Sequence, residues 1–361
     1  MSVVFFQPNF RAAGVEKVNI LLANEMHRKG VNTSFLVFKK EGEFLHQLNP
    51  EINVIELDIS RALFSLPRLI LFFLKNRVHF ISSYNNLSVL AIVANILTFK
   101  RSKIYACEHN TLSIINKAKG SYKDKLIAKM LHWFYPLATG VIAVSQGVAD
   151  DLSNYAKIKR EIITVLHNPV VNDDLKNKSQ EKPKHKWLLN KEVPVFIASG
   201  RLEIQKNFSL LINAFSQVSK KIDARLLILG EGSLKPQLQE QINKLNLQDK
   251  CELIGYVDNP YSYVRHSDVF VLSSDFEGLP TVIIESLACN TAVVSTDCPS
   301  GAAEILENGK WGKLVPVGDA DTLAQAMLES VSEVKEIDLT ERANFFSVEA
   351  STQKYLDFLK R

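Results

Sequence analysis

Two glutamates, Glu277 and Glu285, flank the turn Gly278-Leu279-Pro280 in the stretch DFEGLPTVIIESLACN, residues 275–290, which follows the apolar run Asp268 to Leu272. The turn offers backbone amides at the start of a helix beginning at Thr281, where negative charge is favoured. Glu285, about one turn into that helix, is placed to accept hydrogen bonds from a pair of ribose hydroxyls. Glu277, in the loop, would face the group attached to the far phosphate. Upstream, the run VFIA leads into Ser199-Gly200-Arg201-Leu202-Glu203-Ile204-Gln205-Lys206-Asn207 and a helical pattern from Phe208. Gly200 permits a sharp turn and a close ligand approach, and Arg201 and Lys206 set two cations beside free N–H groups, which is chemistry for a diphosphate. Taken singly, each feature has a plainer explanation: a surface acid, an acid that suits a helix N-terminus, a solvated basic loop. What joins them is that both loops follow strands and should open on one edge of one sheet.

Other candidates are weaker. His109, in Cys107-Glu108-His109-Asn110, directly follows a strand-like run. A lone histidine is more often structural, but the end of a strand is where open α/β sheets bind ligands. Asp319-Ala320-Asp321 has metal-ligand spacing, yet it precedes a helix, where capping explains it better. Gly230-Glu231-Gly232 lacks the third glycine of a dinucleotide fingerprint, which makes a dehydrogenase the weakest reading.

These loops need a scaffold, and the chain supplies it twice. Val3–Phe6, Thr33–Phe38, Val54–Leu57, Val78–Ser82, Lys103–Cys107, Val141–Val144 and Ile162–Leu166 read as strands, with helical patterns such as Val15–Lys29, Ser88–Thr98 and Asp124–Tyr135 between them. The rhythm restarts with strands at Val195–Ala198, Arg225–Leu229, Cys251–Ile254, Val269–Leu272, Ala292–Ser295 and Lys313–Val315, and helices near 208–220, 234–246, 281–289 and 320–334. Alternation of this kind implies an α/β protein with two doubly wound parallel sheets, and tandem Rossmann-like domains leave a cleft for a ligand. The polar segment 172–192, interrupted by Pro183, is expected to be the linker. Ser347–Leu359 reads as a final helix that packs back across the domain junction.

Composition sets bounds. A chain of 361 residues is large for one core and points to two domains. The net charge of +4 hides an asymmetry. Residues 1–171 hold 21 Lys and Arg against 12 Asp and Glu, and residues 172–361 hold 22 against 27. Lys100 to Lys129 carries eight basic residues and only Glu108 and Asp124, then runs into Trp133-Phe134-Tyr135. Such a stretch suits an anionic membrane surface or a phosphate-bearing partner, and equally a solvated helix face beside core aromatics. No recognition motif for nucleic acid accompanies the charge. The four cysteines lack disulfide or zinc spacing, and the N-terminus lacks a basic signal region, so a reduced, cytoplasmic setting is expected. The oily runs Leu69–Leu74 and Leu87–Leu97 are too short to span a bilayer.

GRLEIQKN followed by EGLPTVIIES resembles the donor site of the retaining glycosyltransferase family 4, whose members have the GT-B fold. The resemblance spans essentially the whole chain. Gly14-Val15-Glu16-Lys17-Val18 is similar to the family's G-G-A-E-R-V segment, with Ala13 in place of the first glycine. Val141–Ser145 and His167-Asn168-Pro169-Val170 are similar to its later first-domain segments. Asp297-Cys298-Pro299-Ser300-Gly301 through Ile305, then Gly312 to Pro316, resembles members acting on UDP-sugars in surface-polysaccharide assembly. The resemblance implies an acceptor-binding domain of residues 1–171 plus 345–361 and a donor-binding domain of residues 172–344, facing each other across a cleft. Arg201 and Lys206 would neutralise the nucleotide diphosphate, Glu285 would hold the ribose, and Glu277 would meet the donor sugar. Gly14, Glu16, Gly200, Gly278, Leu279, Pro280 and Thr281 would complete the donor site, and His109 would lie near the sugar. Transfer would be metal-independent, with Arg201 and Lys206 supplying the positive charge, and no other cofactor is implied.

The expected function is transfer of a hexose or N-acetylhexosamine, with retention, from a nucleoside diphosphate sugar, most simply a UDP-sugar, to a lipid-linked saccharide of lipopolysaccharide or capsule assembly. The basic first half would keep the enzyme at the inner membrane face. The alternatives are a non-catalytic scaffold that binds sugar nucleotides and a GT-B sugar-nucleotide epimerase.

Overall fold

A computed structural model of the chain describes residues 1–117, 122–333 and 337–361. The chain divides into two compact units, residues 1–169 with 348–361, and residues 170–347.

In the first unit, the described residues form a parallel sheet of seven strands: β1 (Ser2–Gln7), β2 (Asn32–Val37), β3 (Asn53–Glu56), β4 (His79–Ser82), β5 (Lys103–Glu108), β6 (Gly140–Ala143) and β7 (Ile163–Val165). Their spatial order is β3-β2-β1-β4-β5-β6-β7. The strands are short continuous apolar runs because helices cover both faces of such a sheet, leaving no solvent side to be polar. Phe5, Phe6, Phe35, Phe73 and Phe80 are fully buried, with Phe5 stacked on Phe35 at 5.4 Å and Phe73 edge-on to Phe80 at 5.0 Å. Three helices matter below: α1 (Gly14–Arg28), α2 (Ser65–Lys75) and α3 (Asn85–Leu97). The C-terminal helix Val348–Lys360 belongs to this unit, lying against α1 and placing Phe358 5.7 Å from the Tyr105 ring.

The second unit repeats the plan. Among its described residues are β8 (Val195–Ser199), β9 (Arg225–Leu229), β10 (Cys251–Gly255), β11 (Val269–Leu272), β12 (Ala292–Thr296) and β13 (Lys313–Val315), all parallel in the order β10-β9-β8-β11-β12-β13. Winding runs outward from β8 through β9 to β10, then returns to the other side of β8 at β11. The neighbours β8 and β11 therefore flank a topological switch point, as β1 and β4 do in the first unit, and their following loops diverge there to leave a crevice.

The segment 172–192 is not a linker, which corrects the reading from its polar composition. It forms helices Asp173–Ser179 and Lys186–Leu189 inside the second unit. Asn172 caps the first by accepting from the Leu175 amide at 2.9 Å, and His185 caps the second by accepting from the Trp187 amide at 3.2 Å. Leu175 and Leu188 are buried, and the Trp187 ring lies under the Arg225 guanidinium at 5.7 Å. Few apolar positions suffice when each is an anchor and both helix starts are capped.

All four cysteines are free thiols in the interior, Cys107 in the first unit and Cys251, Cys289 and Cys298 in the second. Among the described residues no helix is long and apolar enough to cross a membrane.

Candidate functional site

The switch point of the second unit carries the sequence-selected residues. After β8 the chain turns at Gly200, forms a short 3-10 turn at Ile204–Lys206, and enters helix Phe208–Lys221 through Asn207. Asn207 has a left-handed backbone, φ 44°, and accepts from the Leu210 amide at 3.2 Å as N-cap. After β11 the chain crosses Ser273 to Pro280 and enters helix Thr281–Ala288. The loops are stitched together. The Asp275 amide donates to the Gln205 carbonyl at 2.9 Å, Asn207 Nδ2 donates to Asp275 Oδ1 at 2.8 Å, and Ser273 Oγ donates to the Lys206 carbonyl at 2.8 Å.

Lys206 and Glu277 meet at the centre, with Nζ 2.6 Å from Oε1. Both side chains are largely withdrawn from solvent. Glu277 also accepts from Ser274 Oγ at 2.7 Å and from Gln205 Nε2 at 3.3 Å, so its carboxylate is held from three sides. A buried charge of this kind survives only when paired and hydrogen-bonded, and these contacts supply both. Arg201, by contrast, is exposed at the mouth of the loop. Gly278, Leu279 and Pro280 are buried as they lead into the helix, Thr281 opens it, and Glu285 lies a turn further on, partly exposed.

Glycines pack the β8 loop against its neighbours. A Cβ on Gly200 would sit 3.1 Å from Lys206 Cε, and one on Gly230, where φ is +133°, would sit 1.9 Å from the Gly200 carbonyl oxygen. Gly232 is equally constrained, 2.4 Å from the Leu202 carbonyl oxygen. The Gly230-Glu231-Gly232 turn after β9, which fits no dinucleotide fingerprint, thus sets the shape of the cation-bearing loop. The Leu202 amide donates to the Glu231 carbonyl at 2.9 Å. The Glu203 carboxyl is held below its ordinary range by the Ser233 amide and hydroxyl, then by Arg201. On the other side, the Glu277 amide donates to the Pro299 carbonyl at 3.3 Å, and a Cβ on Gly301 would meet Pro280 Cδ at 2.7 Å. The loop after β12 therefore braces the acidic loop. Gln205, Ser274, Asn207, Gly230, Gly232 and Gly301 were not singled out from sequence as ligand-site residues, whereas Gly200 was. Their signal is positional: each stands within a few residues of a strand's carboxyl end.

Gly14, Glu16 and His109 belong to the other unit and are described there alone. Gly14 is the first residue of α1, and a Cβ there would have no atom within 4 Å. Glu16 is buried beside the β1–β4 switch point, where Tyr84, just after β4, donates its hydroxyl to Glu16 Oε1. Desolvation first, then this carboxylate, pushes the Tyr84 hydroxyl well above its ordinary pKa. Asn19 completes the polar floor, donating to Gln7 at 2.9 Å and accepting from Ser83 Oγ at 3.1 Å.

His109 follows β5, partly buried, with Nε2 3.4 Å from Cys107 Sγ. Desolvation pushes its pKa down to about 4, so the imidazole is neutral at physiological pH. The adjacent Glu108 is raised to about 7, by burial first and by the Asp151 charge, against the hydrogen bond it accepts from Tyr135. Of the aromatic stretch left open between a membrane surface and the core, Tyr135 is fully buried, whereas Trp133 is exposed. The middle of the basic run, residues 118–121, lies outside the described residues. Asp319 is an N-cap, its Oδ1 accepting from the Asp321 and Thr322 amides at 3.1 and 3.0 Å, which accounts for the Asp-x-Asp spacing.

Known proteins share these features. Residues 179–343 match the family model described as glycosyl transferases group 1, and residues 12–173 match glycosyltransferase family 4. An uncharacterized glycosyltransferase of Methanocaldococcus jannaschii is 31% identical over 317 residues, covering 84% of this chain and 70% of that protein. The N-acetylgalactosamine-N,N'-diacetylbacillosaminyl-diphospho-undecaprenol 4-alpha-N-acetylgalactosaminyltransferase of Campylobacter jejuni is 34% identical over 244 residues, covering 67% of this chain and 64% of that protein. Among solved structures, Anabaena HepE in complex with UDP aligns over 100% of both chains with a TM-score of 0.80 at 19% identity, a likeness of fold. With matching family models over both halves and a relative above 30% identity over most of both chains, this chain belongs to glycosyltransferase family 4 and is a transferase of the GT-B fold class.

Proposed function

We propose that the chain transfers a hexose or N-acetylhexosamine, with retention of anomeric configuration, from a nucleoside diphosphate sugar to a lipid-linked saccharide. The observation that carries this reading is the contact of Lys206 with Glu277, 2.6 Å apart at the β8–β11 switch point, with Arg201 exposed on the same loop after β8. A guanidinium and an ammonium at the carboxyl edge of a parallel sheet, beside a helix N-terminus, suit a diphosphate. UDP is the favoured nucleotide, because HepE is a structural neighbour solved with UDP. The lipid-linked acceptor is supported by the name of the Campylobacter relative, which acts on a diphospho-undecaprenol glycan.

In this reading the bond between the anomeric carbon and the diphosphate breaks as the acceptor hydroxyl forms its bond on the same face. The acceptor proton passes to the departing phosphate oxygen. Arg201 and Lys206 stabilise the negative charge growing on the diphosphate, in positions fixed before the reaction begins. Glu277 accepts hydrogen bonds from donor-sugar hydroxyls, Glu285 from the ribose, and Gly278, Leu279, Pro280 and Thr281 line the sugar and phosphate. On the first unit, Gly14 leaves space for close ligand approach, Glu16 and Tyr84 supply a polar wall, and neutral His109 donates or accepts one hydrogen bond without acting as a charged acid. Because the cations are side chains, transfer should continue in the presence of a chelator.

The test is thermal stabilisation of the full chain by a panel of UDP-, GDP- and ADP-sugars, followed by transfer to an undecaprenyl-diphosphate saccharide and NMR of the product's anomeric proton. One donor family should stabilise the protein and yield an α product from an α donor. Stabilisation by none of them, or an inverted product, would overturn the reading.

A further inference from the structure

The first unit exposes apolar side chains that no core needs. Phe64, at the start of α2, and Leu71 and Leu74 on its outer face are between 45% and 55% exposed, while Ser65, Leu69 and Phe73 are buried on the opposite face. Positions 64, 68, 71 and 75 share one side of a helix, and here they read Phe, Arg, Leu, Lys. α2 packs along α3, and both helices end at the amino edge of the sheet, just before β4 and β5. Leu97, the last residue of α3, is 57% exposed, and Phe99, just past the helix, is 91% exposed.

The turn that presents Phe99 is built rather than loose. Phe99 and Lys100 both adopt left-handed backbone, φ 59° and 53°, a conformation that side chains other than glycine, Asn and Asp rarely take. Asn95 clamps it: its carbonyl accepts from the Lys100 amide at 2.7 Å, its Nδ2 donates to the Ser102 carbonyl at 2.9 Å, and its Oδ1 accepts from the Ser102 amide at 3.0 Å. A nearly bare phenylalanine on a strained, buttressed turn adds nothing to the unit's own packing. Burying it against something else would recover the missing apolar contact.

Charge identifies that something. From Ile59 to Cys107 the sequence contains seven Lys or Arg and no Asp or Glu. Arg61, Arg68, Lys75, Arg77, Lys100 and Arg101 are exposed, and among the described residues none of them pairs with a carboxylate. Exposed leucine and phenylalanine rimmed by unpaired cations is the pattern of a surface that lies in the headgroup layer of an anionic bilayer. We propose that the outer face of α2 and the Phe99 turn form one membrane-docking surface, specific for anionic lipid. The same rim of like charges opposes pairing with a second copy of this face. The inference deepens the proposed function, since a lipid-linked acceptor is met at a bilayer.

The experiment is co-sedimentation of the full chain with vesicles of phosphatidylcholine alone or with added phosphatidylglycerol, at low and high salt. Wild type should bind only the anionic vesicles, and salt should release it. Leu71→Ser with Phe99→Ser should weaken binding by about tenfold or more through lost apolar burial. Arg68→Glu with Lys75→Glu should weaken it by roughly fivefold for each charge at low salt. Both variants change exposed side chains, so melting temperature and donor-induced stabilisation should match wild type. Wild type that ignores anionic vesicles, or variants that bind like wild type, would overturn the proposal. So would a dimer in light scattering that Phe99→Ser dissolves without any vesicle binding. Failure of every sugar nucleotide to stabilise the protein would sink the proposed function and leave the vesicle result standing.

Discussion

The two switch points share a topology and differ in chemistry. At β8–β11 the loops bring together the Lys206 ammonium and a carboxylate pinned by that lysine, a hydroxyl and an amide, with the Arg201 guanidinium exposed on the same loop. At β1–β4 the corresponding groups are the hydrogen-bonded chain Gln7–Asn19–Ser83 and, beside it, the buried acid Glu16 with the Tyr84 hydroxyl. The fold places a crevice at both points, and the network at β8–β11 holds a lysine cation that can meet a diphosphate, whereas the groups named at β1–β4 are hydroxyls, amides and an acid. What a doubly wound sheet fixes is where ligands go, and the loop residues decide which ligand.

That contrast can be broken. Lys206→Ala should lower kcat/KM on the order of a thousandfold, because a preorganised cation is lost from the leaving group, and should also lower the melting temperature, because the buried Glu277 carboxylate loses its counter-charge. A steady-state assay that finds near-wild-type turnover would place the diphosphate elsewhere. Gly230→Ala should cost about 2 to 4 kcal/mol of stability in urea titration, since its Cβ would lie 1.9 Å from the Gly200 carbonyl oxygen.

The first unit has its own signature in pH. The folded pKa of Glu108, about 7, exceeds its ordinary 4.5, so the unfolded chain gives up the proton first and stability falls as pH rises across that window. His109, lowered from 6.5 to about 4, does the opposite: the unfolded chain binds the proton first as pH drops, so stability rises with pH from about 4 to 6.5. The slopes oppose each other. Glu108→Gln should unmask the histidine slope and change stability near neutral pH by an amount on the order of 3 kcal/mol, read by denaturant titration at several pH values. Tyr84→Phe should destabilise by about 1 to 3 kcal/mol, because Glu16 would lose its buried donor. Gly14→Ala should move stability by less than about 1 kcal/mol, since its Cβ has room, so any loss of activity there would point to a ligand close by.

The strands were legible because a sheet buried on both faces demands short uninterrupted apolar runs, as in Val195–Ser199 and Arg225–Leu229, set between longer helical patterns. The acidic and basic loops were legible because their residues are close in sequence to strand ends. The segment 172–192 was misread because average polarity says nothing about two caps and a few anchors such as Leu175 and Trp187. The helix Ser65–Lys75 passed as an oily run because it inverts the usual pattern, carrying leucine on its outer face. Tyr84 and Glu16 are 68 positions apart, and no spacing rule connects a hydroxyl to an acid across that distance.

The interior thiols give each unit its own chemical clock. Alkylating reagents need both a thiolate and an open path, and burial withholds both, pushing Cys107, Cys289 and Cys298 up to about 12. Modification of Cys107 therefore times opening of the first unit, and modification of Cys289 or Cys298 times the second, read separately by mass spectrometry of the fragments without introducing any dye.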